Sequence, residues 1–406
     1  MDGVSQARVT LALCASAALF EGFDNQSMGV AAPMLFREFS IAPAQGGLIF
    51  SAATLGLFLG ALAGGRAADY VGRKQTLTAS LLLFGICSLL TVAVRGAHSL
   101  ILMRLLTGLG LGGAMPNFIA LASDAADPRG KLSAVTMVMA ALPFGGALAG
   151  MMALTERMGW GWRAIFIGGG LGPLVVAFLL IAFRVGAADG ARGPGKLGAS
   201  RESPVDSVGS VLWGMGRTRA TLLLWSGFFF TNLVLFMMLN WLPSLVVGLG
   251  FTRGQASMSS IVFNLAGSGG AVFLGRLHAG NRRRQWVLMT YGGISLALAA
   301  LAAVASFGRG FSIALLACAL AGAFIIGAQL ILYALAPLYY RHTGRATGVG
   351  VAVAIGRSGA VVGPLFAAAL LASGSAGAAV LAGAIPFVVV AGAAALALTW
   401  QPQSVD

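Results

Sequence analysis

The chain has 406 residues, of which 58% are hydrophobic and only 9% are charged. Soluble globular proteins carry about 25% charged residues, so the composition excludes that class and indicates an integral membrane protein. Cys14, Cys87 and Cys318 lie in apolar runs at unrelated spacings, which predicts neither a disulfide framework nor a metal site. No cofactor is predicted.

Apolar runs long enough to cross a bilayer recur along the whole chain. A bilayer core of roughly 30 Å needs about 20 apolar residues in one helix, so we predict an all-α membrane protein with twelve transmembrane helices. The first run continues to residue 35 and is interpreted as an uncleaved helix, not a signal peptide. The predicted spans are 9–35, 47–65, 76–94, 99–123, 132–155, 163–184, 220–247, 256–275, 286–306, 311–336, 346–371 and 376–400.

The first span contains two carboxylates, Glu21 and Asp24, in the stretch "FEGFDNQSMG". On a helix they lie about 60° apart, on a face shared with Asn25 and Met28. An ionised side chain at mid-membrane depth costs several kcal/mol unless it faces water or a partner. Burial and a like-charged neighbour both favour the protonated form, so we predict that Glu21 and Asp24 couple transport to protons. The alternative is a structural pair that is hydrogen-bonded to neighbouring helices.

A glycine- and arginine-rich segment, "GRAADYVGRK" (65–74), follows the second span. Its glycines suit tight turns, and Asp69 can cap a helix N-terminus or pair with Arg73 or another nearby arginine. The spacing G-x-x-x-D-x-x-G-R-K resembles the loop 2–3 signature of the major facilitator superfamily, where the acid and the basic residues form a conformational latch. Tyr70 stands where that family often has a basic residue, and an ordinary basic turn is the alternative. The resemblance implies a gating role for Gly65, Asp69, Gly72, Arg73 and Lys74.

Arg104 lies one to two turns from one end of the fourth span. Its side chain could extend to the membrane surface. It could also take part in proton coupling, as an arginine at this place does in symporters of the superfamily, and the sequence leaves both possibilities open. Gly108 and Gly112 follow it at the spacing of a helix-packing seam.

Residues 185–219 are rich in Gly, Ser, Pro and Arg, which predicts a flexible cytoplasmic linker. It separates an N-terminal six-helix bundle (1–184) from a C-terminal one (220–406). Basic turns recur at equivalent places in the two halves of the chain. "GRAADYVGRK" (65–74) follows the second span, and "GRLHAGNRRR" (275–284) follows the eighth, which is the second span of the other half. "DPRGKLSA" (127–134) and "YRHTGRATG" (340–348) form a second pair. Two parallel six-helix repeats with a site between them are typical of a transporter.

Arg357 is the cation inside the eleventh span, at a depth similar to that of the two acids. A guanidinium can bind a carboxylate through two parallel hydrogen bonds. We therefore predict that Arg357 anchors a substrate carboxylate. The alternative is a permanent ion pair with Asp24 or Glu21, and the two can coexist if the substrate replaces the internal acid once that acid is protonated.

Other polar and aromatic side chains of the spans could complete a binding pocket. Aromatic rings stack on rings, and amides or a phenol can meet a ring hydroxyl, although each residue alone could serve helix packing instead. The candidates are Phe23, Asn25, Asn117, Phe144, Asn232, Asn240, Trp241, Asn264, Gln329 and Tyr333.

Three stretches resemble one branch of the superfamily, the aromatic acid:proton symporters. "EGFDNQSMGVAAPML" (21–35) is similar to their helix 1 signature, and "RLLTGLGLGGAMPN" (104–117) and "GRSGAVVGP" (356–364) match further stretches. Glu21 in place of the usual aspartate is most similar to the transporters of 3-(3-hydroxyphenyl)propionate and related phenylpropanoids. The resemblance implies the major facilitator fold, with a small aromatic carboxylate and protons as the transported species.

The net charge of +14 comes from 26 basic and 12 acidic residues. With both termini in the cytoplasm, most Lys and Arg fall in cytoplasmic segments, as the positive-inside rule requires. The basic excess therefore indicates topology and not a nucleic-acid partner. We expect a multi-pass protein in the lipid bilayer of a bacterial inner membrane that functions as a monomer.

Together these features predict a secondary active transporter that takes up an aromatic monocarboxylate, such as a hydroxyphenylpropionate or a hydroxybenzoate, with protons by alternating access. The alternatives are a proton-coupled exporter of aromatic compounds or other organic acids, and a membrane sensor of aromatic acids that transports nothing. An enzyme is not predicted, because the sequence shows no nucleophile–base set or metal cluster, and residues 65–74 lack the G-K-[ST] ending of a phosphate-binding loop.

Overall fold

The computed structural model describes residues 3–127, 130–154, 161–183, 208–214, 217–278, 282–306, 310–341 and 345–402. These residues form α-helices, a 3₁₀ turn (Ala336–Tyr339) and no β-strand, which confirms the predicted all-α fold. The first-half helices are α1 (Gly3–Glu38), α2 (Pro43–Val71), α3 (Arg73–Thr91), α4 (Ala97–Ala125), α5 (Lys131–Ala153) and α6 (Gly161–Ala182). The second-half helices are α7 (Val208–Trp213), α8 (Thr218–Gly248), α9 (Arg253–His278), α10 (Arg283–Ser306), α11 (Phe311–Leu335), α12 (Arg345–Ala372) and α13 (Gly377–Leu398).

The twelve predicted spans correspond to the long helices α1–α6 and α8–α13. Ten of these helices are long and apolar enough to cross a membrane. Over the described residues, α1 and α9 do not reach the same hydropathy. The run of Glu21, Asp24, Asn25 and Gln26 interrupts the apolar character of α1, and serine and glycine are frequent in α9.

The predicted linker, residues 185–219, is not free of structure throughout. The short helix α7 lies within it and docks on the start of α8. The Thr221 hydroxyl donates to the carbonyl of Leu212 at 3.0 Å, and Trp213 packs edge-on against Trp225 with ring centroids 5.5 Å apart. The prediction was wrong for this segment because Leu212 buries an apolar side chain. The rest of the linker up to residue 216 lies outside the described residues, apart from Gly214.

The chain divides into two compact units, Met1–Ala199 and Ser200–Asp406, here called unit 1 and unit 2. In unit 1, α1 packs along α5, α2 packs along α4, and α3 contacts α4 and α6. In unit 2, α8 packs along α12, α9 packs along α11, and α10 contacts α11 and α13. Each unit therefore builds the same order of helix contacts, as expected for a duplicated six-helix repeat.

Glycines bring the paired helices of each unit into backbone contact. A Cβ atom at Gly22 of α1 would overlap the carbonyl group of Leu142 on α5, and one at Gly145 would overlap that of Leu19. Gly108 and Gly112 of α4 approach the backbone of α2 in the same way, which confirms the seam predicted there. Small residues allow such close approach in membrane helices. Gly22 thereby lets α1, which carries the two acids, contact the backbone of α5.

We expect Gly22→Ala to lower the melting temperature of the detergent-purified protein and its yield in the membrane, because α1 and α5 must separate to admit the new methyl group. Gly292→Ala is the matched control, since a Cβ at Gly292 meets no atom within 4 Å. Alanine favours a helix by about 0.8–1 kcal/mol over glycine, so the control should be at least as stable as the parent. A Gly22→Ala protein as stable as the control would contradict the packing.

Candidate functional site

A buried ion pair joins α1 to α4 in the interior of unit 1. The Nη1 atom of Arg104 lies 3.2 Å from Oδ2 and 3.4 Å from Oδ1 of Asp24. The two side chains are only 1% and 2% exposed. Arg104 therefore does not extend to the membrane surface, and its role in proton coupling stays a prediction.

Two threonines complete the surroundings of the guanidinium. The Nη2 atom of Arg104 donates to the hydroxyl oxygens of Thr91 on α3 and Thr107 on α4, each at 3.4 Å. Each threonine hydroxyl donates its own hydrogen to a backbone carbonyl one turn earlier, that of Cys87 at 2.9 Å and that of Met103 at 2.7 Å. The threonine oxygens are therefore left as acceptors facing the cation.

The pair explains how α1 accommodates an acid at this depth. An unpaired charge in a membrane interior costs several kcal/mol, and Arg104 supplies the opposite charge from within the same unit. The pair is also vulnerable, because removal of either partner leaves the other buried without compensation. Asp24 and Arg104 therefore each depend on the charge of the other.

The other candidates on α1 have different surroundings. Glu21 is buried, at 2% exposure, and Asn25 is half-buried. Phe23 packs against α6, where a Cβ at Gly169 would lie 2.9 Å from the ring. The structure therefore places the ring of Phe23 in helix packing. Ser27, which the sequence analysis did not single out, donates its hydroxyl to the backbone carbonyl of Asp24 at 2.8 Å.

Asn117 and Phe144 of unit 1 do not join the ion pair in one cluster. The Asn117 amide donates to the carbonyl of Gly113, one turn earlier on α4, at 2.8 Å. Phe144 is 53% exposed on α5. Asn117 is therefore a buried polar group with a hydrogen bond inside α4, and Phe144 is an aromatic ring on the surface of unit 1.

In unit 2, several candidates lie close to the position of Arg357 on α12. Arg357 is half-buried, and a Cβ at its neighbour Gly356 would lie 2.6 Å from Nδ2 of Asn232 on α8. That amide nitrogen donates to the carbonyl of Phe228 at 2.9 Å. The Phe228 ring packs edge-on against Tyr333 of α11 at a centroid distance of 5.3 Å. Residues from three helices thus meet around this turn of α12.

Gln329 lies one turn before Tyr333, on the same face of α11. Its Oε1 atom is buried, and no described residue donates a hydrogen bond to it. A buried acceptor without a donor costs about 1–3 kcal/mol. This oxygen is therefore available to accept a hydrogen bond from a bound molecule.

The remaining candidates of unit 2 bond to helix backbones. Trp241 donates its indole N–H to the carbonyl of Pro364 at 3.0 Å, which joins α8 to α12. Asn240 donates to the carbonyl of Phe236 at 2.7 Å, and Asn264 donates to that of Ser260 at 2.9 Å. These contacts join each of the three side chains to a helix backbone, and their role in a pocket stays a prediction.

The structure of segment 65–74 differs from the prediction at Gly65 and in the acid that pairs with Arg73. Gly65 is not in a tight turn, because α2 continues through the alanines that follow it and ends at Val71. Gly72 alone connects α2 to α3, with a φ of +94°, a conformation that favours glycine. A substitution there would strain the backbone. Lys74 is half-buried in the first turn of α3.

The acid that pairs with Arg73 is Asp124, near the end of α4, and not Asp69. Asp69 is exposed near the end of α2, and no side chain caps the start of α3, where the N-cap residue is Gly72. Asp124 was not among the residues predicted from the sequence. An acid at the end of the fourth span, just before "DPRGKLSA", was the available signal.

We expect the Asp24–Arg104 pair to show strong coupling in a double-mutant cycle of unfolding stability. Asp24→Asn and Arg104→Gln should each destabilise the purified protein, whereas the double variant should recover part of the loss. Coupling of about 0.5–3 kcal/mol is typical for side chains in contact within one network. Thermal or denaturant unfolding of the four proteins gives this value.

The exposed Arg73–Asp124 pair provides the control cycle. Its side chains are 43% and 51% exposed, and exposed pairs contribute about 0–1 kcal/mol. A coupling energy for Asp24–Arg104 no larger than that of the control would show that the buried pair is not stabilising.

Comparison with known proteins identifies the family. The model of the Major Facilitator Superfamily matches residues 14–358. The chain therefore belongs to the Major Facilitator Superfamily of membrane transporters. The xylose transporter XylE from E. coli shares the fold, with a TM-score of 0.75 at 14% identity over 98% of this chain and 99% of the other.

Two relatives with named functions show which kinds of substrate are carried by proteins similar to this chain. The 3-(3-hydroxy-phenyl)propionate transporter of Escherichia coli (strain K12) is 41% identical over 97% of this chain and 94% of its own length. The 4-hydroxybenzoate transporter PcaK of Pseudomonas aeruginosa is 32% identical over 91% of this chain and 87% of its own length. These matches confirm the predicted resemblance, and the relatives are named as transporters and not as enzymes.

Proposed function

We propose that the chain is a proton-coupled symporter that takes up an aromatic monocarboxylate, such as a hydroxyphenylpropionate or a hydroxybenzoate. The substrate class is supported by the names of its relatives, which carry aromatic acids of this kind. The single observation that carries the proton coupling is the buried Asp24–Arg104 pair. A carboxylate that is enclosed with one cation in a membrane interior can hold a proton in one state of the cycle and release it in another.

Unit 1 acts as the proton-binding half in this proposal. A proton on Asp24 neutralises the carboxylate and weakens its attraction to Arg104. Glu21, one turn earlier on α1, is the second proton-coupling candidate. Buried carboxylates are the usual proton relays of transporters.

Unit 2 binds the substrate in this proposal. Arg357 receives the carboxylate, and the aromatic side chains of Phe228 and Tyr333 receive the ring. The free oxygen of Gln329 accepts a hydrogen bond from a ring hydroxyl. Hydroxylated aromatic acids are therefore favoured over acids without a hydroxyl, because only the former supply the missing donor.

Charge balance links the two events. A proton on Asp24 and a carboxylate at Arg357 together add no net charge to the membrane interior. The fully loaded and the empty carrier can therefore reorient at lower electrostatic cost than the half-loaded one. The carrier exposes its sites to one side of the membrane and then to the other. The 65–74 segment with the Arg73–Asp124 pair acts as the latch. Both termini lie in the cytoplasm of a bacterium, and the monomer is the functional unit.

The direct test measures uptake of labelled 3-(3-hydroxyphenyl)propionate into cells that express the chain, with and without a protonophore. Benzoate and 4-hydroxybenzoate serve as competitors. Protonophore-sensitive uptake supports symport, and the order of competition identifies the substrate class. Addition of substrate to the outside medium should alkalinise that medium if the chain is a symporter. Acidification on the same addition would instead favour a proton-coupled exporter, because entering substrate then exchanges for protons that leave, and binding without transport would favour a sensor.

We expect Asp24→Asn to abolish proton-driven accumulation and to spare counterflow exchange of labelled for unlabelled substrate. The amide mimics the protonated acid, so the loaded carrier can still reorient, but no proton can leave. Asp127→Asn, at an exposed position, should leave both activities unchanged. If the Asp24→Asn protein still concentrated substrate, Asp24 would not be the coupling residue.

We expect Arg357→Lys to raise the apparent KM for the carboxylate at least about tenfold, because lysine keeps the charge but loses the two-pronged hydrogen bond. Arg219→Lys is the matched control at an exposed position of α8 and should leave the KM unchanged. An apparent KM for Arg357→Lys that equals that of the control would remove Arg357 from the binding site.

A further inference from the structure

We propose that Phe166 of α6 is a positioning residue, whose ring face holds the guanidinium of Arg104 in place while Asp24 gains and loses its proton. This inference rests on the proposed function, since it assigns Phe166 to the same proton-coupling site. The carbon at the centre of the guanidinium lies 5.1 Å from the centroid of the Phe166 ring. A cation over an aromatic face is attracted by the ring quadrupole, most strongly where water is absent.

The contacts of Arg104 show why such a residue is needed. Its Nη1 atom is engaged by Asp24, and its Nη2 atom is engaged by two threonine hydroxyls at the long distance of 3.4 Å. Its Nε atom is buried, and no described residue accepts a hydrogen bond from it. When Asp24 is protonated, the guanidinium loses the negative charge of the carboxylate that it contacts. Among the described residues, the Phe166 ring and the two threonine oxygens still attract it.

Phe166 is itself held firmly. Its side chain is fully buried, and its backbone carbonyl accepts a hydrogen bond from the Ser88 hydroxyl at 3.3 Å. Trp162, one turn earlier on the same face of α6, packs edge-on against its ring at a centroid distance of 5.9 Å. The ring therefore has little freedom to follow Arg104 if the arginine moves.

Trp162 is fixed in turn by the end of α1. Its indole N–H donates to Oε2 of Glu38 at 2.5 Å, and Nη2 of Arg163 donates to Oε1 at 2.9 Å. Phe39 packs edge-on against the indole, and the Arg163 guanidinium lies 4.4 Å from its centroid. The indole hydrogen bond and then Arg163 hold the pKa of Glu38 below its ordinary value of 4.5. Glu38 therefore stays ionised at pH values of 4.5 and above. Its hydrogen bonds to Trp162 and Arg163 stay intact over the same pH range.

Phe166 thereby keeps Arg104 at the same place in both protonation states. Among the described residues, the titratable groups near Asp24 include Arg104 on α4, Cys87 on α3 and Glu21, three residues earlier on α1. A guanidinium that stays in place stabilises the carboxylate as soon as the proton leaves. If the ring face is lost, the guanidinium can move, and the carboxylate of Asp24 is compensated less well.

The test compares the pH dependence of uptake in the parent and in Phe166→Leu, which keeps an apolar side chain but has no ring face. We expect the pH of half-maximal, protonophore-sensitive uptake of labelled 3-(3-hydroxyphenyl)propionate to rise by about one unit. The KM measured by counterflow should not change. Phe84→Leu is the matched control, since Phe84 is equally buried in the apolar core of unit 1, and it should leave the pH profile unchanged.

A second set of variants removes the risk that Phe166→Leu fails to fold. Phenylalanine with one to three fluorine atoms, introduced at position 166, nearly keeps the shape of the ring and weakens the negative charge of its face. We expect the pH of half-maximal uptake to rise stepwise with fluorination. A pH profile that is unchanged in all fluorinated proteins would overturn the assignment and leave Phe166 as a packing residue.

An infrared titration separates failure of this inference from failure of the proposed function. The carbonyl band of protonated Asp24 is identified in the purified protein by its loss in Asp24→Asn, and its midpoint is then compared between the parent and Phe166→Leu. A parent that transports none of the acids contradicts the proposed function. Equal midpoints in the two proteins contradict the role of Phe166, whether or not the parent transports.

Discussion

A carboxylate in the interior of a membrane protein needs a compensating charge, and in this chain the compensation of Asp24 determines the organisation of unit 1. Arg104 reaches Asp24 across the contact of α1 with α4. Threonines from α3 and α4 and the Phe166 ring from α6 complete the surroundings of the guanidinium. Side chains of four helices therefore meet at one ion pair.

The close approach of the helices makes this arrangement possible. Gly22, between the two acids in sequence, lets α1 contact the backbone of α5, while Gly108 and Gly112 do the same for α4 and α2. Membrane helices gain little from hydrophobic association, so they rely on such contacts and on buried polar groups. The seam and the ion pair thus stabilise the same bundle by different means.

The two units share their order of helix contacts but differ in the chemistry of their interiors. Where unit 1 has the Asp24–Arg104 pair, the described interior of unit 2 has neutral partners, such as the hydroxyls of Thr231 and Tyr291 at 3.0 Å. Beside Gly356, the neighbour of Arg357 in sequence, lie the amide of Asn232 and the ring of Phe228, which packs against Tyr333. This difference supports a division of labour in which one half binds the proton and the other binds the organic acid.

The sequence by itself determined the class of fold, the twelve long helices and the two buried acids, because hydropathy and charge along a helix are local properties. It also indicated the family through "GRAADYVGRK" and "EGFDNQSMGVAAPML". Only the tertiary structure decided that Arg104 is the partner of Asp24, that Asp124 and not Asp69 pairs with Arg73, and that Phe166 covers the guanidinium. These partners are 80, 51 and 62 positions apart in the chain. Local spacing carries no information on such pairs, because the crossing of helices brings them together.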